Sequence, residues 1–291
     1  MKLNTILRNS CFAVAITTIG ILGACQPDEV EGGNALFASD MDASFSVSPT
    51  DNSGNRYAAT ASDDGAILLH TWRYTSSEGD DSGEMQGPGE MEFFFPDAGT
   101  YTITHRAAGS GGTSTISEQT VVVTTPDPVA GNLIAGGKFT AGQGPWQILN
   151  ISPSGAAWTF ADGVATINGT GSNQQGIYQA IQVVGGVDYR FDMKVSGPGS
   201  TNTWFEVFIS PQAPVQNSDY SAGGAVFALN TWAGCATGPF SGLISVVGCA
   251  NHSGNPVSFT ESGTVYVVIK SGGENINNIV VDNVELRRIV D

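Results

Sequence analysis

The sequence predicts an all-β protein built from two β-sandwiches, a smaller one followed by a larger one. No segment after residue 25 sustains the apolar period of a helix. Short stretches instead alternate between apolar and polar residues, and turn residues separate them; glycine alone contributes 38 of the 291 residues. The two prolines of residues 125–131 divide these stretches into a shorter and a longer set.

The net charge of the chain limits the kinds of molecule that it can bind. Only 13% of the residues are charged, and the formal net charge is −16. Nucleic-acid binding needs a basic stripe that neutralises phosphates, and this chain has none. Nucleic acid is therefore excluded as a partner, and a neutral ligand fits the charge balance best.

The N-terminus reads as an export signal. Lys2 and Arg8 give it a basic start, and an apolar run too short for a comfortable membrane span ends in Leu22-Gly23-Ala24-Cys25. This ending resembles the bacterial lipobox, which implies a signal peptide over residues 1–24 and a lipid anchor on Cys25 that holds the protein to a membrane. The alternative is an ordinary secretory signal.

A polar tether follows over residues 25–35. Its acidic run Gln26–Glu31 resembles the surface-export signal of Bacteroidetes lipoproteins. The resemblance implies an outer-membrane protein that faces the cell exterior. The alternative is a solvated stalk that stays in the periplasm.

Residues 36–125 form the first predicted domain. The stretches Ala66–Tyr74, Asp97–Thr104 and Thr120–Val123 read as strands of a small antiparallel sandwich. Together with Trp72-Arg73-Tyr74, the run Ala98-Gly99-Thr100-Tyr101-Thr102-Ile103 resembles the polycystic-kidney-disease (PKD) type of immunoglobulin-like module. The resemblance implies a spacer with Trp72 in its core. His70 and His105 alternate with apolar residues and are expected to be structural or surface histidines.

Residues 126–131 form a linker, and residues 132–291 form the second domain. One strand places Tyr189, Phe191, Met193 and Val195 on a single side. The opening Asn132–Phe139, Trp146 in an expected core position, and the closing Val281–Leu286 resemble the jelly-roll carbohydrate-binding modules of the family 4/9 type.

A second resemblance concerns the whole plan of the chain. The segment Asn230–Cys235 with Gly248-Cys249, followed by Gly263–Lys270, is similar to the C-terminal domain of surface glycan-binding lipoproteins from polysaccharide utilisation systems. This implies a neutral polysaccharide ligand, with laminarin-type β-1,3-glucan first among the expected ligands. It also implies a SusD-like protein and a TonB-dependent transporter as partners.

The cysteines sort by position. Of the four, Cys11 and Cys25 belong to the export signal, which leaves Cys235 and Cys249 for the folded part. An even remainder in an exported chain predicts one disulfide, and two free buried thiols are the alternative.

No cofactor is required by any motif, although jelly-roll modules often hold a structural calcium. Asp282 matches the last acidic ligand of that pattern, whereas Lys138 and Thr140 replace the acidic residues usual at its start. The alternatives for Asp282 are a turn cap or an ion pair with Lys138.

Aromatic planes that bury the CH faces of sugars, beside amides and carboxylates that bind hydroxyls, are expected in a glycan site. The stretch Thr203–Ile209 alternates, with Phe205, Val207 and Ile209 on one side and Trp204, Glu206 and Phe208 on the other. The predicted ligand-binding residues are Trp204, Trp232, Glu206, Trp158, Tyr178, Asn173, Gln175 and Asn230, with Tyr220 behind them.

Two other functions compete with glycan binding. A glycosidase would use Glu206 as its acid, with Asp192 or Glu274 as the second carboxylate. No histidine stands near a serine or cysteine in a recognisable nucleophile motif, so we expect no catalysis. An adhesin or a scaffold of an outer-membrane complex is the other alternative.

Overall fold

The structure is a computed structural model that describes residues 41–62, 65, 67–249 and 252–290. The predicted signal peptide, Cys25 and the tether lie outside these residues. Within the described residues, no helix has the length and apolar character that crossing a membrane requires. The secondary structure is almost entirely β, which confirms the predicted fold class.

In the part of the first sandwich that the structure describes, eight strands form two sheets. Their bounds are Phe45–Pro49 (β1), Arg56–Ala61 (β2), Ile67–Ser76 (β3), Met85–Gly87 (β4), Glu90–Phe94 (β5), Gly99–Gly109 (β6), Gly112–Thr113 (β7) and Ser117–Val123 (β8). One sheet has the order β1-β2-β5, and the other has β4-β3-β6 with both β7 and β8 paired to β6.

Aromatic side chains fill the space between these two sheets. Trp72 is fully buried and lies among Phe45, Phe93 and Ile103, which confirms its predicted place in the core. The buried ring of His105 stacks on Trp72 with centroids 4.1 Å apart. One ring nitrogen of His105 lies 2.9 Å from His70 Nδ1, and the other lies 2.8 Å from the carbonyl oxygen of Ala43. Both histidines are therefore structural parts of this sandwich.

The described residues of the second sandwich form nine strands. Their bounds are Gln147–Asn150 (β9), Ala156–Ala161 (β10), Val164–Val183 (β11), Asp188–Gly197 (β12), Thr201–Ser210 (β13), Phe227–Asn230 (β14), Phe240–Leu243 (β15), Val257–Ser258 (β16) and Gly263–Arg288 (β17). A 3-10 turn over Thr231–Ala233 follows β14, and the one-turn helix Ile244–Val247 (α1) follows β15.

Two long strands, β11 and β17, run through both layers of this sandwich. Residues 173–183 of β11 and 263–273 of β17 pair with each other and with β9 and β13, and β14 extends this layer; we call it the front sheet. In the opposite halves, β11 pairs with β10 and β17 pairs with β12. Strand β12 also pairs with β15 and β16, and we call this layer the back sheet. A register irregularity between Thr170 and Asn173 of β11 separates the two halves.

The core lies between the front and back sheets, because alternate residues of each strand point inward. Ile177, Phe205 and Ile269 from the front sheet and Phe191 and Val281 from the back sheet belong to one buried cluster. Trp146 is 1% exposed and joins that cluster, as the sequence predicted. The other side of each front-sheet strand faces outward, and this outer face carries the candidate site.

An ion pair joins the two sandwiches. The guanidinium of Arg287, on β17, donates hydrogen bonds of 2.9 and 2.8 Å to the two carboxylate oxygens of Asp97 in the first sandwich. Burial alone would lower the pKa of Arg287, but the carboxylates of Asp97 and Glu285 raise it above its ordinary value. Asp97 also accepts the backbone N–H of Asn132. The sandwiches are thus connected by side chains as well as by the linker.

Candidate functional site

A row of four cross-strand neighbours crosses the open end of the front sheet's outer face. Gln174 of β11 stands opposite Gly272 of β17, Gly272 stands opposite Trp204 of β13, and Trp204 stands opposite Asn230 of β14. Strands lie about 4.8 Å apart, so the row spans on the order of 14 Å. Gln174, Trp204 and Asn230 are each half-buried, and their outward sides remain accessible. We call this set the Trp204 row.

The indole of Trp204 lies against the backbone of β17. A β-carbon built at Gly272 would stand 2.4 Å from Cζ2 of Trp204, which is closer than real atoms approach. Only glycine leaves room for the ring at this position. The Trp204 row therefore presents a fixed aromatic plane rather than a freely rotating one.

Gln174 brings an unused acceptor to the same place. Its Cβ lies 2.7 Å from the position that a β-carbon at Gly272 would take. The side chain of Gln174 and the indole of Trp204 therefore both lie next to this glycine. Gln174 Oε1 is buried and has no hydrogen-bond partner among the described residues. A buried acceptor without a partner costs free energy, which a ligand hydroxyl would recover only where the Gln174 side chain turns outward.

The neighbouring row holds a buried ammonium. Lys270 of β17 is 2% exposed although its side chain points to the outer face. Its Nζ lies 3.4 Å from Glu206 Oε2 and 2.6 Å from Asp219 Oδ1. The same atom lies 4.7 Å from the ring centroid of Trp204. Two carboxylates and an aromatic ring together offset the cost of burying this charge.

Beyond that row, the loop of residues 211–225 covers the sheet; we call it the crossing loop. Tyr220 packs edge-on against Phe208 and joins it in a small buried cluster with Leu149 and Val268. Gln216 fixes the far side of the loop, because its side chain accepts the N–H of Asn150 and donates to the carbonyl of Ile148, both in β9. The crossing loop thereby buries the part of the outer face around Phe208 and Val268, and the Trp204 row stays accessible on one side of it.

Trp232 lies at the β14 end of the row. It occupies the 3-10 turn directly after β14, and Asn230 Oδ1 accepts its backbone N–H at 2.9 Å. The side chain is 62% exposed, which is high for a tryptophan. Cys235 and Cys249 form a disulfide just beyond the turn, which confirms the predicted bridge. The bridge and the cap hold this exposed indole two residues beyond Asn230, the neighbour of Trp204 on β14.

The remaining predicted ligand residues lie elsewhere or have structural partners. Trp158 is 7% exposed and belongs to the core, so it does not line the outer face. Gln175 accepts the N–H of Trp158, and Asn173 donates to the carbonyl of Thr170. Tyr178 does lie on the outer face, but its hydroxyl donates to Gln147 two rows away from Trp204. The structure thus brings together Trp204, Glu206, Asn230 and Trp232.

The carboxylates considered for catalysis do not gather around Glu206. Asp192 lies on β12 of the back sheet and accepts from Ser245, and Glu274 accepts from Asn202. The carboxylate that does lie near Glu206 is Asp219. The Lys270 ammonium contacts both of these carboxylates.

The possible calcium ligand also has a local role. Asp282 Oδ1 accepts the N–H of Asn283 at 2.7 Å. Lys138 contacts Asp80 of the first sandwich, so the alternative ion pair between Lys138 and Asp282 is wrong. In the part of the chain that the structure describes, no three His, Cys, Asp or Glu side chains form a group that could hold a metal.

Sequence reasoning missed Gly272, Gln174, Lys270 and Asp219. Their positions relative to Trp204 depend on strand register and on the path of the crossing loop, neither of which a local pattern reveals. One signal was available for Lys270. It lies in an otherwise apolar strand, Val265–Ile269, and a lysine in such a strand needs a partner.

Comparisons with known proteins return only distant structural likenesses. No protein-family model matches it, and no curated protein does. Among solved structures, the enzymatically active domain of tailspike protein 4 from bacteriophage CBA120 aligns over 58% of this chain and 23% of its own, with 11% identity and a TM-score of 0.38.

Several of the other similar structures are carbohydrate-binding modules. One is a CBM4 module, which aligns over 54% of this chain and 99% of its own, with 17% identity and a TM-score of 0.34. Another is TmCBM61 in complex with β-1,4-galactotriose, with 54% and 99% coverage, 15% identity and a TM-score of 0.31. Because the identities and the TM-scores are low, these likenesses assign neither a family nor a ligand to this chain.

Proposed function

We propose that this protein is a non-catalytic binder of a neutral glycan and that the Trp204 row is its contact surface. The observation that carries the proposal is the indole of Trp204 packed against Gly272, with the side chain of Gln174, whose amide oxygen has no partner among the described residues, next to the same glycine. An apolar plane next to a few fixed polar groups is what a pyranose ring requires, because one face of the sugar is apolar and its rim carries hydroxyls.

The surrounding groups extend this surface. Glu206 is partly exposed next to Trp204, and Asn230 follows on the neighbouring strand. Trp232 supplies a second aromatic plane at the end of the row. A chain of sugars lying across the strands would meet these groups in succession.

The ligand we propose is a neutral glucan, with laminarin-type β-1,3-glucan first. A formal net charge of −16 disfavours strongly anionic polysaccharides and leaves neutral ones unaffected. We further propose that Cys25 anchors the protein in the outer membrane and that the second sandwich faces outward to capture polysaccharide for uptake. The lipobox-like Leu22–Cys25 and the acidic residues behind it support this placement.

Affinity electrophoresis with laminarin, cellulose, xylan and mannan in the gel tests the proposal. We expect retardation by laminarin and no release of reducing ends from it, since Lys270 lies between the two carboxylates nearest Trp204. A folded protein that none of the four glycans retards would contradict the proposal and favour the adhesin or scaffold alternative. Release of reducing ends that Glu206→Gln abolishes would instead establish an enzyme.

A further inference from the structure

The crossing loop delivers a carboxylate to the border of the Trp204 row. Asp219 Oδ1 accepts from Lys270 Nζ at 2.6 Å and from the N–H of Tyr220 at 2.8 Å. No hydrogen bond within the described residues uses its other oxygen, Oδ2, and the side chain is 56% exposed. Asp219 thus combines a fixed position with a free acceptor.

That position is held from several directions. On one side of Asp219, Gln216 and Asn217 bond to β9, the latter through its N–H to the carbonyl of Asn150 at 2.7 Å. On the other side, the ring of Tyr220 packs on Phe208, and its hydroxyl donates to the carbonyl of Gln212 at 2.6 Å. A loop anchored in this way loses little conformational entropy when a ligand binds to it.

Lys270 links this loop to the rest of the site. Its ammonium contacts Asp219 on the loop and Glu206 on β13, and it lies against the indole of Trp204. A nearly buried ammonium that loses one carboxylate is left with an uncompensated charge, so the group favours the arrangement with both carboxylates present. The cluster carries one more negative charge than positive, and it borders the surface where the sugar would lie.

We infer that Asp219 is a further ligand-binding residue, that Lys270 positions it together with Glu206, and that this cluster selects neutral glycans against polyuronates. The inference rests on the proposed function and names the feature that sets its ligand class. Each carboxylate accepts hydrogen bonds from the hydroxyl groups of a neutral sugar. A uronate would bring a third carboxylate against a cluster that is already negative, and like charges at this distance repel.

Isothermal titration calorimetry of the whole mature chain with laminarin and with alginate, a polyuronate, tests this inference. The Asp219→Asn variant should bind laminarin at least about 5-fold more weakly than the wild type, since a charge-assisted acceptor is lost. Glu261→Gln is the matched control. It removes the same charge from an exposed position in the loop before β17, near Gly263 at the end of the strand remote from Trp204.

The second measurement compares binding of alginate with binding of laminarin. In the Glu206→Gln/Asp219→Asn double variant, the Lys270 charge faces the row without a carboxylate, so alginate binding should appear while laminarin binding weakens. Retained affinity of Asp219→Asn for laminarin, equal to that of Glu261→Gln, overturns the binding role of Asp219. A double variant that stays folded and still rejects alginate overturns the selective role of the cluster. Failure of the wild type to bind any neutral glycan overturns the proposed function itself, which separates the two failures.

Discussion

The indole of Trp204 occupies the space that a side chain at Gly272 would need, and a β-carbon there would lie 2.4 Å from the ring. The backbone of Gly272 does not have a left-handed φ, so alanine is tolerated by the chain itself. An alanine at position 272 would therefore clash with Trp204 on the neighbouring strand. This substitution tests the position of the indole without removing the tryptophan.

Gly272→Ala should displace the indole and weaken glycan binding. The expected loss is about 1–3 kcal/mol in binding free energy, by analogy with the stacking of bases on aromatic side chains. Overpacking should also lower the free energy of unfolding by about 1–3 kcal/mol. Calorimetry with laminarin, at a temperature where unfolding is negligible, measures the binding term. Gly238→Ala is the control, because nothing lies within 4 Å of a β-carbon at Gly238; equal affinity of the two variants would show that the ring position is irrelevant.

Two other tryptophans should separate stability from binding. Trp158 is buried in the core, so Trp158→Ala should lower the free energy of unfolding by about 3–5 kcal/mol. Trp232 is 62% exposed, so Trp232→Ala should change stability by no more than about 0.5 kcal/mol while it weakens laminarin binding. Urea unfolding and calorimetry on both variants check the pair. A Trp232→Ala variant with wild-type affinity would restrict the site to the Trp204 row.

Reduction of the Cys235–Cys249 bridge should affect binding more than folding. The bridge closes a loop of about 15 residues, which in the chain-entropy model contributes about 3 kcal/mol. The main core of the second sandwich does not depend on it, so the domain should stay folded while the turn bearing Trp232 loosens. Calorimetry with the Cys235→Ser/Cys249→Ser variant and circular dichroism measure the two effects. An unchanged affinity would mean that the bridge has no part in presenting Trp232.

The first sandwich should lose stability in mild acid. Burial lowers the pKa of His105 below its ordinary value of 6.5, outweighing the hydrogen bond to the carbonyl of Ala43. Because the unfolded chain takes up a proton on this histidine near pH 6.5 and the folded chain does not, stability is complete above that pH. It then falls by up to about 1.4 kcal/mol for each pH unit below it.

Denaturant unfolding of the first sandwich between pH 7.5 and 5 measures this slope. His105→Gln should lower stability at pH 7.5 and flatten the pH dependence, whereas His252→Gln, a change at an exposed histidine, should leave the slope as it is. A slope that survives His105→Gln would assign the titration to another group.

The sequence was sufficient for the fold class and for part of the site. Period-2 alternation correctly put Phe205 and Trp204 on opposite sides of the strand, since a strand has only two faces. Trp204, Glu206, Asn230 and Trp232 lie on paired strands or on the turn that follows, so a search for aromatic and polar residues in one stretch found them together. Local patterns carry this kind of information well.

The rest of the site depends on relationships between distant segments. Gly272 and Lys270 face Trp204 and Glu206 only because β13 pairs with β17 in one register, and a shift by one residue would turn both away. Asp219 arrives through the path of a loop. Trp158 alternates as strongly as Trp204, but its strand places it against the core. A local sequence pattern predicts neither the register in which two strands pair nor which face of a strand packs against the core.

Calorimetric titration of laminarin into the whole mature chain and into its Trp204→Ala variant tests the central claim most directly. The wild type should bind, and the variant should lose about 1–3 kcal/mol of binding free energy while its unfolding transition stays cooperative. Identical titrations for the two proteins, or a folded wild type that binds none of laminarin, cellulose, xylan and mannan, would contradict the assignment of the Trp204 row as a glycan-binding surface.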